Sequence, residues 1–486
     1  MEKITNAQMN FKVFEKTIYD TTCQIACELV SEYLQACDRE VLAMRDTKEY
    51  RFVNFGTTTI KTLMGEVSYT RRRYKKREGG YVYLLDEALG INGDCGLISE
   101  NLAEQIVLEC TDKSFRKAAS SISSLTGQRI SAMGAWGVVS RYGERLEKQE
   151  ARLGELAANG ITGQLGNIES KALFSELDDV WITMQREKRR KPGSPAPAGR
   201  RRIGKRPMHI GTAYTGWKKA EGSRYKTVDK IAYASFDETP VFLSKYGTLL
   251  LHRFDMDGVE RQVMNGDGAG WIKTAAEESG AILQLDPYHR SRAIVKAVDD
   301  KNDRDALYGA FKEKDVEKAL DIVSDLLTRA TEKSACKKLE DLLEYFDNNK
   351  ESLLTWQERG IELPTPPEGL VYRSLGVQES SNCNLLTQRM KHRKGSWSKS
   401  GANSMAKILC YRYTIGIDSM LGTLPEPPED QWTPLSAAKA PIYDGKGYDG
   451  GWLHAEMPFE QVFRTNGREV IRGLLRQRGL SELRII

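Results

Sequence analysis

Val259-Glu260-Arg261-Gln262-Val263-Met264-Asn265-Gly266-Asp267-Gly268-Ala269-Gly270-Trp271-Ile272 is the stretch on which the reading of this 486-residue chain turns. A strand-like run, Val259 to Met264, ends in an aspartate between two glycines, and a helical pattern follows at once. Glycine on either side lets the backbone turn sharply and leaves the carboxylate open to a metal or a phosphate. The alternative is a plain strand-to-helix turn with Asp267 as the N-cap. Other acids give the stretch its context. An acidic strand, Glu176-Leu177-Asp178-Asp179-Val180-Trp181, lies upstream; Asp286-Pro287-Tyr288-His289 follows; a polar helix opens around Glu379.

Length allows two to four domains and a sizeable core. With 40% hydrophobic and 29% charged residues the chain has the composition of an ordinary globular protein. The net charge of +5 is small, so the nature of a partner depends on where the cations sit. No apolar run approaches 18 residues and the first residues lack an apolar signal core, so neither membrane insertion nor secretion is expected. Eight cysteines without a Cys-x-x-Cys pair suggest reduced thiols in a cytoplasm and argue against structural zinc.

Residues 1–50 read as N-terminal helices, with Phe14, Ile18, Leu29, Val30 and Leu34 at helical spacing. A small β-rich segment follows at 51–97, turned by Gly65-Glu66 and Gly79-Gly80. It contains Arg71, Arg72, Arg73, Lys75, Lys76 and Arg77 around Tyr74, which is either a solvated face or a surface for a phosphate backbone. Residues 98–150 are helical again. Ser114 to Ser131 outlines a helix, a Gly-containing turn and a second helix beginning at Ser131. The pattern fits a helix-turn-helix with Gln128 and Arg129 near its reading element, or an ordinary helical hairpin.

Strand patterns between 165 and 300 alternate with helices and predict a mixed α/β sheet, with an apolar run near Val241–Leu251 breaking the strands. Within this stretch residues 186–206 hold ten Lys or Arg against one acid, Glu187, with Pro192, Pro195 and Pro197; no core can form from that composition, so it reads as a basic loop. Residues 301–370 form a helical insertion rich in leucine. Residues 371–420 carry a final helical segment with Glu379, and 421–486 are a Pro-rich linker and basic tail.

Three carboxylates on one α/β sheet can hold two divalent cations about 3.5–4 Å apart across a phosphodiester. Their hard oxygens suit Mg²⁺ or Mn²⁺. Asp178 lies inside a strand, where a carboxylate is costly unless it is paired or metal-bound.

Val263–Ile272, Leu285-Asp286-Pro287-Tyr288-His289 and the run Val377-Gln378-Glu379 through Arg389-Met390-Lys391-His392-Arg393-Lys394-Gly395-Ser396-Trp397-Ser398 resemble the ISLre-type bacterial insertion-sequence transposases, relatives of the Mutator-like DDE transposases. The likeness extends to Gly56-Thr57-Thr58-Thr59 and Gly65 to Arg73, covering roughly residues 50–415. It implies an RNase H-like mixed-sheet catalytic domain with an all-helical insertion, preceded by a mostly helical DNA-binding region. The implied triad is Asp178, Asp267 and Glu379, binding Mg²⁺ or Mn²⁺. Asp286 and His289 match the Cys-or-Asp-x-x-His signature of the relatives, although Asp286 also suits a helix cap and His289 a packed core position. Asp179 follows Asp178 directly. Adjacent strand residues face opposite sides, so one of the two points at the metals, and the motif favours Asp178.

The implied activity is metal-dependent cleavage at terminal inverted repeats followed by strand transfer into target DNA. Basic residues Arg71–Arg77, then Arg189, Arg190, Arg201 and Arg202, then Arg389, Lys391 and Arg393, would neutralise phosphates. Trp397 would stack on an unpaired base or pack in the core. A homo-oligomer on double-stranded DNA, in a cytoplasmic, nucleoid-associated setting and away from any membrane, is expected. Two alternatives stand beside this one: a catalytically inactive DNA-binding regulator, and an RNase H-like nuclease that cleaves without joining.

Overall fold

The structure is a computed structural model that describes residues 11–91, 97–185, 204–222, 224–376, 383–391 and 395–415. The chain divides into two compact units, with the boundary at Val138/Val139.

In the first unit the helical periodicity of the N-terminus produces one long helix, α1 (Phe11–Met44). Two strands, β1 (Tyr50–Lys61) and β2 (Glu66–Lys76), pair antiparallel from Tyr50 opposite Lys76 to Lys61 opposite Glu66, and β3 (Tyr81–Val82) adds to β2. Leu34, Ile60, Val67, Tyr69 and Leu85 form one small core; Val41, Tyr74, Val82 and Leu84 form another. A short helix, α2 (Leu84–Ala88), leads to α3 (Glu100–Asp112) and α4 (Phe115–Thr126). Both α3 and α4 begin on a serine cap: Ser99 accepts from the Leu102 N–H and Ser114 from the Lys117 N–H. Gly127 ends α4 at φ +69, a left-handed geometry that suits glycine. Helix α5 (Ala132–Ala158) starts one residue after the expected Ser131 and runs across the unit boundary.

The second unit is built on a five-stranded sheet. Its strands are β4 (Ala172–Thr183), β5 (Lys205–Tyr214), β8 (Ile231–Ser235), β9 (Arg261–Gly266) and β10 (Ile282–Leu285). Their order is β10-β9-β4-β5-β8. The β4, β5 and β8 strands are antiparallel neighbours, whereas β9 and β10 extend the sheet parallel to β4. A two-stranded hairpin, β6 (Gly216–Lys219) with β7 (Tyr225–Val228), stands between β5 and β8 in the chain. The mixed α/β architecture expected from the sequence is present. The apolar run at Val241–Leu251, expected as a break among strands, is a helix, α6 (Thr239–Arg253). Phe242, Tyr246, Leu249 and Leu250 are buried on it at spacings of four, three and one, so a helical stripe, not a strand, explains the run.

Alternation along β4 separates two faces. Leu173 and Leu177 join Tyr233, Phe242, Tyr246, Met264 and Ile272, under α6 and α7 (Gly270–Ser279). Ala172 and Phe174 face the other way, with Tyr214, Trp217, Val263 and Leu375. After β10 come α8 (Pro287–Ala297), α9 (Lys301–Lys312), α10 (Val316–Arg329) and α11 (Lys333–Asn348). They enclose their own core of Leu307, Phe311, Val323, Leu339, Leu342 and Phe346, the helical block expected between Asp286 and Glu379. The last described helix, α12 (Lys399–Ile415), packs along β8, and its Lys407 forms a buried ion pair with Glu150 of α5.

Candidate active site

Asp178 lies on the same face of β4 as Ala172, Phe174 and Glu176. The ladder pairs Glu176 with Asn265 and Gly266 with Leu285. Carried past the ends of the parallel strands, that register sets Asp178, Asp267 and Asp286 level on three neighbouring chains. Asp267 and Asp286, just past the carboxyl ends of β9 and β10, thus stand level with Asp178 inside β4.

Burial pushes the Asp178 carboxyl up to about 6. The Asp179 N–H, donated to Asp178 Oδ1 at 2.7 Å, and the charge of His289 oppose the rise, while Asp267 adds to it. Asp267 and His289 therefore act on Asp178 through space, although 89 and 111 residues separate them from it in the chain.

The neighbouring acid is occupied elsewhere. Asp179 meets His209 Nδ1 at 2.6 Å across the β4–β5 pair, and His209 Nε2 stands 3.3 Å from Thr239 Oγ1. The His209 ring packs against Trp271 and Phe242. This places Asp179 among the contacts of the α6–α7 side and leaves Asp178 as the acid on the Asp267 side.

Asp267 is held as the Gly-Asp-Gly motif requires. Its Oδ1 accepts the Ala269 N–H at 2.9 Å, and its backbone carbonyl accepts the Tyr345 hydroxyl at 2.8 Å. Gly268 has φ +89, and a Cβ there would come within 2.7 Å of Asn349 Oδ1. Tyr345 and Asn349 come from the end of the helical block, so α11 braces the turn that carries Asp267. Burial, then Asp267 and Asp286, raise the Tyr345 phenol above its ordinary range. Sequence reading missed Tyr345, because the only signal was one tyrosine in a helical pattern.

Asp286 is buried and both of its oxygens are used: Oδ1 caps α8 through the Tyr288 N–H at 2.8 Å, and Oδ2 accepts Asn265 Nδ2 at 3.0 Å. This geometry favours the capping alternative for Asp286. Beneath the acids runs a row of buried polar side chains. Gln284 donates to Asn265, Asn265 also reaches Glu176 at 3.3 Å, and Glu176 accepts the Tyr214 hydroxyl at 2.5 Å and the Gly376 N–H at 3.3 Å. Glu176 is fully buried and was passed over in the sequence because Asp178 and Asp179 beside it drew the motif.

Glu379 lies outside the described residues, as do Arg189, Arg190, Arg201, Arg202 and Arg393. Among the described residues no three His, Cys, Asp or Glu side chains are grouped to hold a metal ion. Two of the three expected ligands, Asp178 and Asp267, are described.

The remaining basic candidates sort by their contacts. Arg71 pairs with Asp86 at 2.6 Å and lies 3.9 Å from the centre of the Tyr83 ring; Arg72 pairs with Asp38 at 2.5 Å. Both are engaged in ion pairs inside the first unit. Arg73 covers the Tyr81 ring, Lys76 is 3.7 Å from Glu87, and Lys75 and Arg77 are exposed. Gln128 is buried in the α4–α5 connection while Arg129 beside it is exposed, so Arg129 alone of the two faces solvent. Arg389 and Trp397 are also buried, the guanidinium over the indole, with Trp397 Nε1 donating to the Met390 carbonyl at 3.1 Å. Trp397 further bridges β4 through backbone bonds to Thr183 and Gln185, which favours its core alternative over base stacking. Lys391 is exposed.

Six cysteines (Cys23, Cys27, Cys37, Cys110, Cys336 and Cys410) are free thiols, and no described helix is long and apolar enough to cross a membrane.

Comparison with known proteins gives the chain its relatives. The model of UPF0236, an uncharacterised protein family, matches residues 4–423. A UPF0236 protein in the vanSb 3′ region of Streptococcus gallolyticus is 25% identical over 414 residues, covering 84% of each chain. A UPF0236 protein of Caldanaerobacter subterraneus, whose name joins eleven locus designations, is 22% identical over 412 residues, covering 84% of this chain and 79% of its own.

Proposed function

The chain belongs to the UPF0236 family, and we propose that it is a DNA transposase of an insertion sequence, cleaving and joining DNA through Asp178, Asp267 and Glu379. The observation that carries this reading is the β4–β9 register, which sets Asp178 and Asp267 level on two parallel neighbouring chains. The sheet supports an RNase H-like core: three antiparallel strands extended by two parallel ones, with α6 and α7 on either side of β9 in the chain. The Caldanaerobacter name adds support of another kind, since one protein designation shared by eleven loci is the multiplicity that a self-copying element leaves.

The donor set fits Mg²⁺ or Mn²⁺. Carboxylate oxygens are the preferred ligands of hard cations, and Asp178 carries a charge that burial beside Asp267 disfavours and a cation would offset. Asp178, Asp267 and Glu379 would hold the metal, which supplies charge stabilisation and activation of the attacking oxygen. The chain's own residues do the positioning: Tyr345 fixes the carbonyl of Asp267, Asp286 anchors the start of α8, and α8 presents His289. In the proposed chemistry a water oxygen attacks phosphorus at the element's end and the 3′ oxygen leaves with a proton. That 3′-hydroxyl then attacks a phosphodiester of the target, whose own 3′ oxygen departs.

The test is a strand-cleavage and strand-transfer assay on duplexes bearing the element's ends. Asp178→Asn, Asp267→Asn and Glu379→Gln should each abolish both products while DNA binding persists. Normal activity in any one of them removes that residue from the triad.

A further inference from the structure

We propose that the β6–β7 hairpin is a second, catalytic-unit contact for duplex DNA, gripping phosphates a short distance from the reacting one; this rests on the transposase reading above. Lys218, Lys219, Arg224 and Lys226 are all exposed on this hairpin, against one acid, Glu221, in its turn. Lys218 stands directly opposite Lys226 in the register. Like charges in that position repel and destabilise a ladder, and among the described residues none of the four cations forms an ion pair. Arg224 shares the face of Lys218 and Lys226, because the Ala220 N–H bonds to the Arg224 carbonyl and so continues the same pairing. A polyanion laid across this face would turn the repulsion into binding.

The root of the hairpin fixes where it stands. Trp217 and Tyr225 pack on the β4 face of Ala172 and Phe174, the face that also carries Glu176 and Asp178. Trp217 exchanges backbone bonds with Val371 at 3.0 and 2.9 Å, and the same segment reaches Glu176 at Gly376. Four strand residues separate Phe174 from Asp178, a distance of about 13 Å. That separation between the hairpin's root and Asp178 is less than half a duplex turn of 34–36 Å. A regularly charged rod of that length suits the geometry; a flat membrane would not be bent to meet both.

The experiment uses the full chain in EDTA, a random-sequence duplex of about 40 base pairs, and an ionic-strength titration of the affinity. Lys218→Ala/Arg224→Ala/Lys226→Ala should lower the slope of log affinity against log salt by about 2 to 3, at about 0.9 per phosphate contact. Its thermal unfolding should match the parent. Lys218→Arg alone, which keeps the charge, should keep the slope. An unchanged slope in the folded triple variant overturns the proposal. So does a variant that binds DNA normally but loses binding to vesicles of phosphatidylcholine with about 30% phosphatidylserine. Mg²⁺-dependent cleavage by the parent is read in parallel. Cleavage with an unchanged slope removes the hairpin contact and leaves the transposase reading intact. A lowered slope in a parent that never cleaves keeps the contact and removes the transposase.

Discussion

The Glu176 carboxylate accepts the backbone N–H of Gly376 at 3.3 Å and so ties the middle of β4 to the chain three residues before Glu379. The same carboxylate holds Asn265, two residues before Asp267, and the hydroxyl of Tyr214 on β5. One buried acid thus ties β4 to the end of β9, to β5 and to the chain at Gly376. Glu176→Ala should cost about 2–4 kcal/mol, because it leaves buried donors unmet and opens a cavity. Glu176→Gln should cost only about 1 kcal/mol: its amide can face Tyr214, whose hydroxyl is able to accept. Urea unfolding of the two variants checks this. Equal costs would mean that the carboxylate's volume, not its hydrogen bonds, matters.

Asp178 gives a pH signature. Its folded-state value, about 6, lies above the ordinary 3.8. The protonated acid is therefore favoured by folding, and that contribution is complete below about pH 4 and lost as pH rises through 6. At about 1.4 kcal/mol per pH unit, ionised Asp178 costs up to about 3 kcal/mol at pH 7.5 without metal. Asp178→Asn should raise the melting temperature in EDTA at pH 7.5 and leave it unchanged near pH 4. A variant no more stable than the parent at pH 7.5 would show that Asp178 is not strained by its surroundings.

Much of this arrangement was legible in the residues. Gly266-Asp267-Gly268 signalled a strand-to-helix turn, and β9 and α7 meet there. Helical spacing located α9, α10 and α11, because each buries a regular stripe. Partnership across distance was not legible. Arg71 and Arg72 read as part of a surface run because their partners, Asp86 and Asp38, lie 15 and 34 residues away. Asp179 competed with Asp178 until the β4–β5 register brought His209 opposite. Glu176 and Tyr345 carry no local pattern at all; pairing across the sheet and the placement of α11 alone give them their neighbours.

The bracing of Asp267 by α11 can be broken at one atom. Gly268→Ala forces a side chain into φ +89 and against Asn349. It should destabilise the second unit by about 2 kcal/mol or more and depress cleavage. Adding Asn349→Ala removes the contact but not the strained backbone, so only part of the loss should return. Complete recovery in the double variant would show that the contact was the whole effect.

Metal dependence separates binding from chemistry. Cleavage should require Mg²⁺ or Mn²⁺ and stop in chelator, whereas Ca²⁺ should permit DNA binding with little product, since its looser coordination positions oxygens poorly. Full cleavage in excess EDTA would exclude the carboxylate–metal mechanism.

The cationic run at 71–77 should split into two classes that a sequence-level reading treats alike. Arg72→Ala leaves the Asp38 carboxylate, only 3% exposed, without its ion pair, and removing one partner of a buried pair costs about 3–5 kcal/mol. Arg71→Ala should behave similarly, because burial already pushes the Asp86 carboxyl upward even with Arg71 beside it. Lys75→Ala and Arg77→Ala touch exposed side chains and should change stability by less than about 0.5 kcal/mol. If this strand meets DNA, those two should each lower the salt slope of binding by about 0.9. Thermal unfolding and an ionic-strength titration on all four variants make the comparison. An Arg72→Ala protein that melts with the parent but binds DNA with a reduced slope would return that arginine to the DNA surface and void the internal pairing as its role.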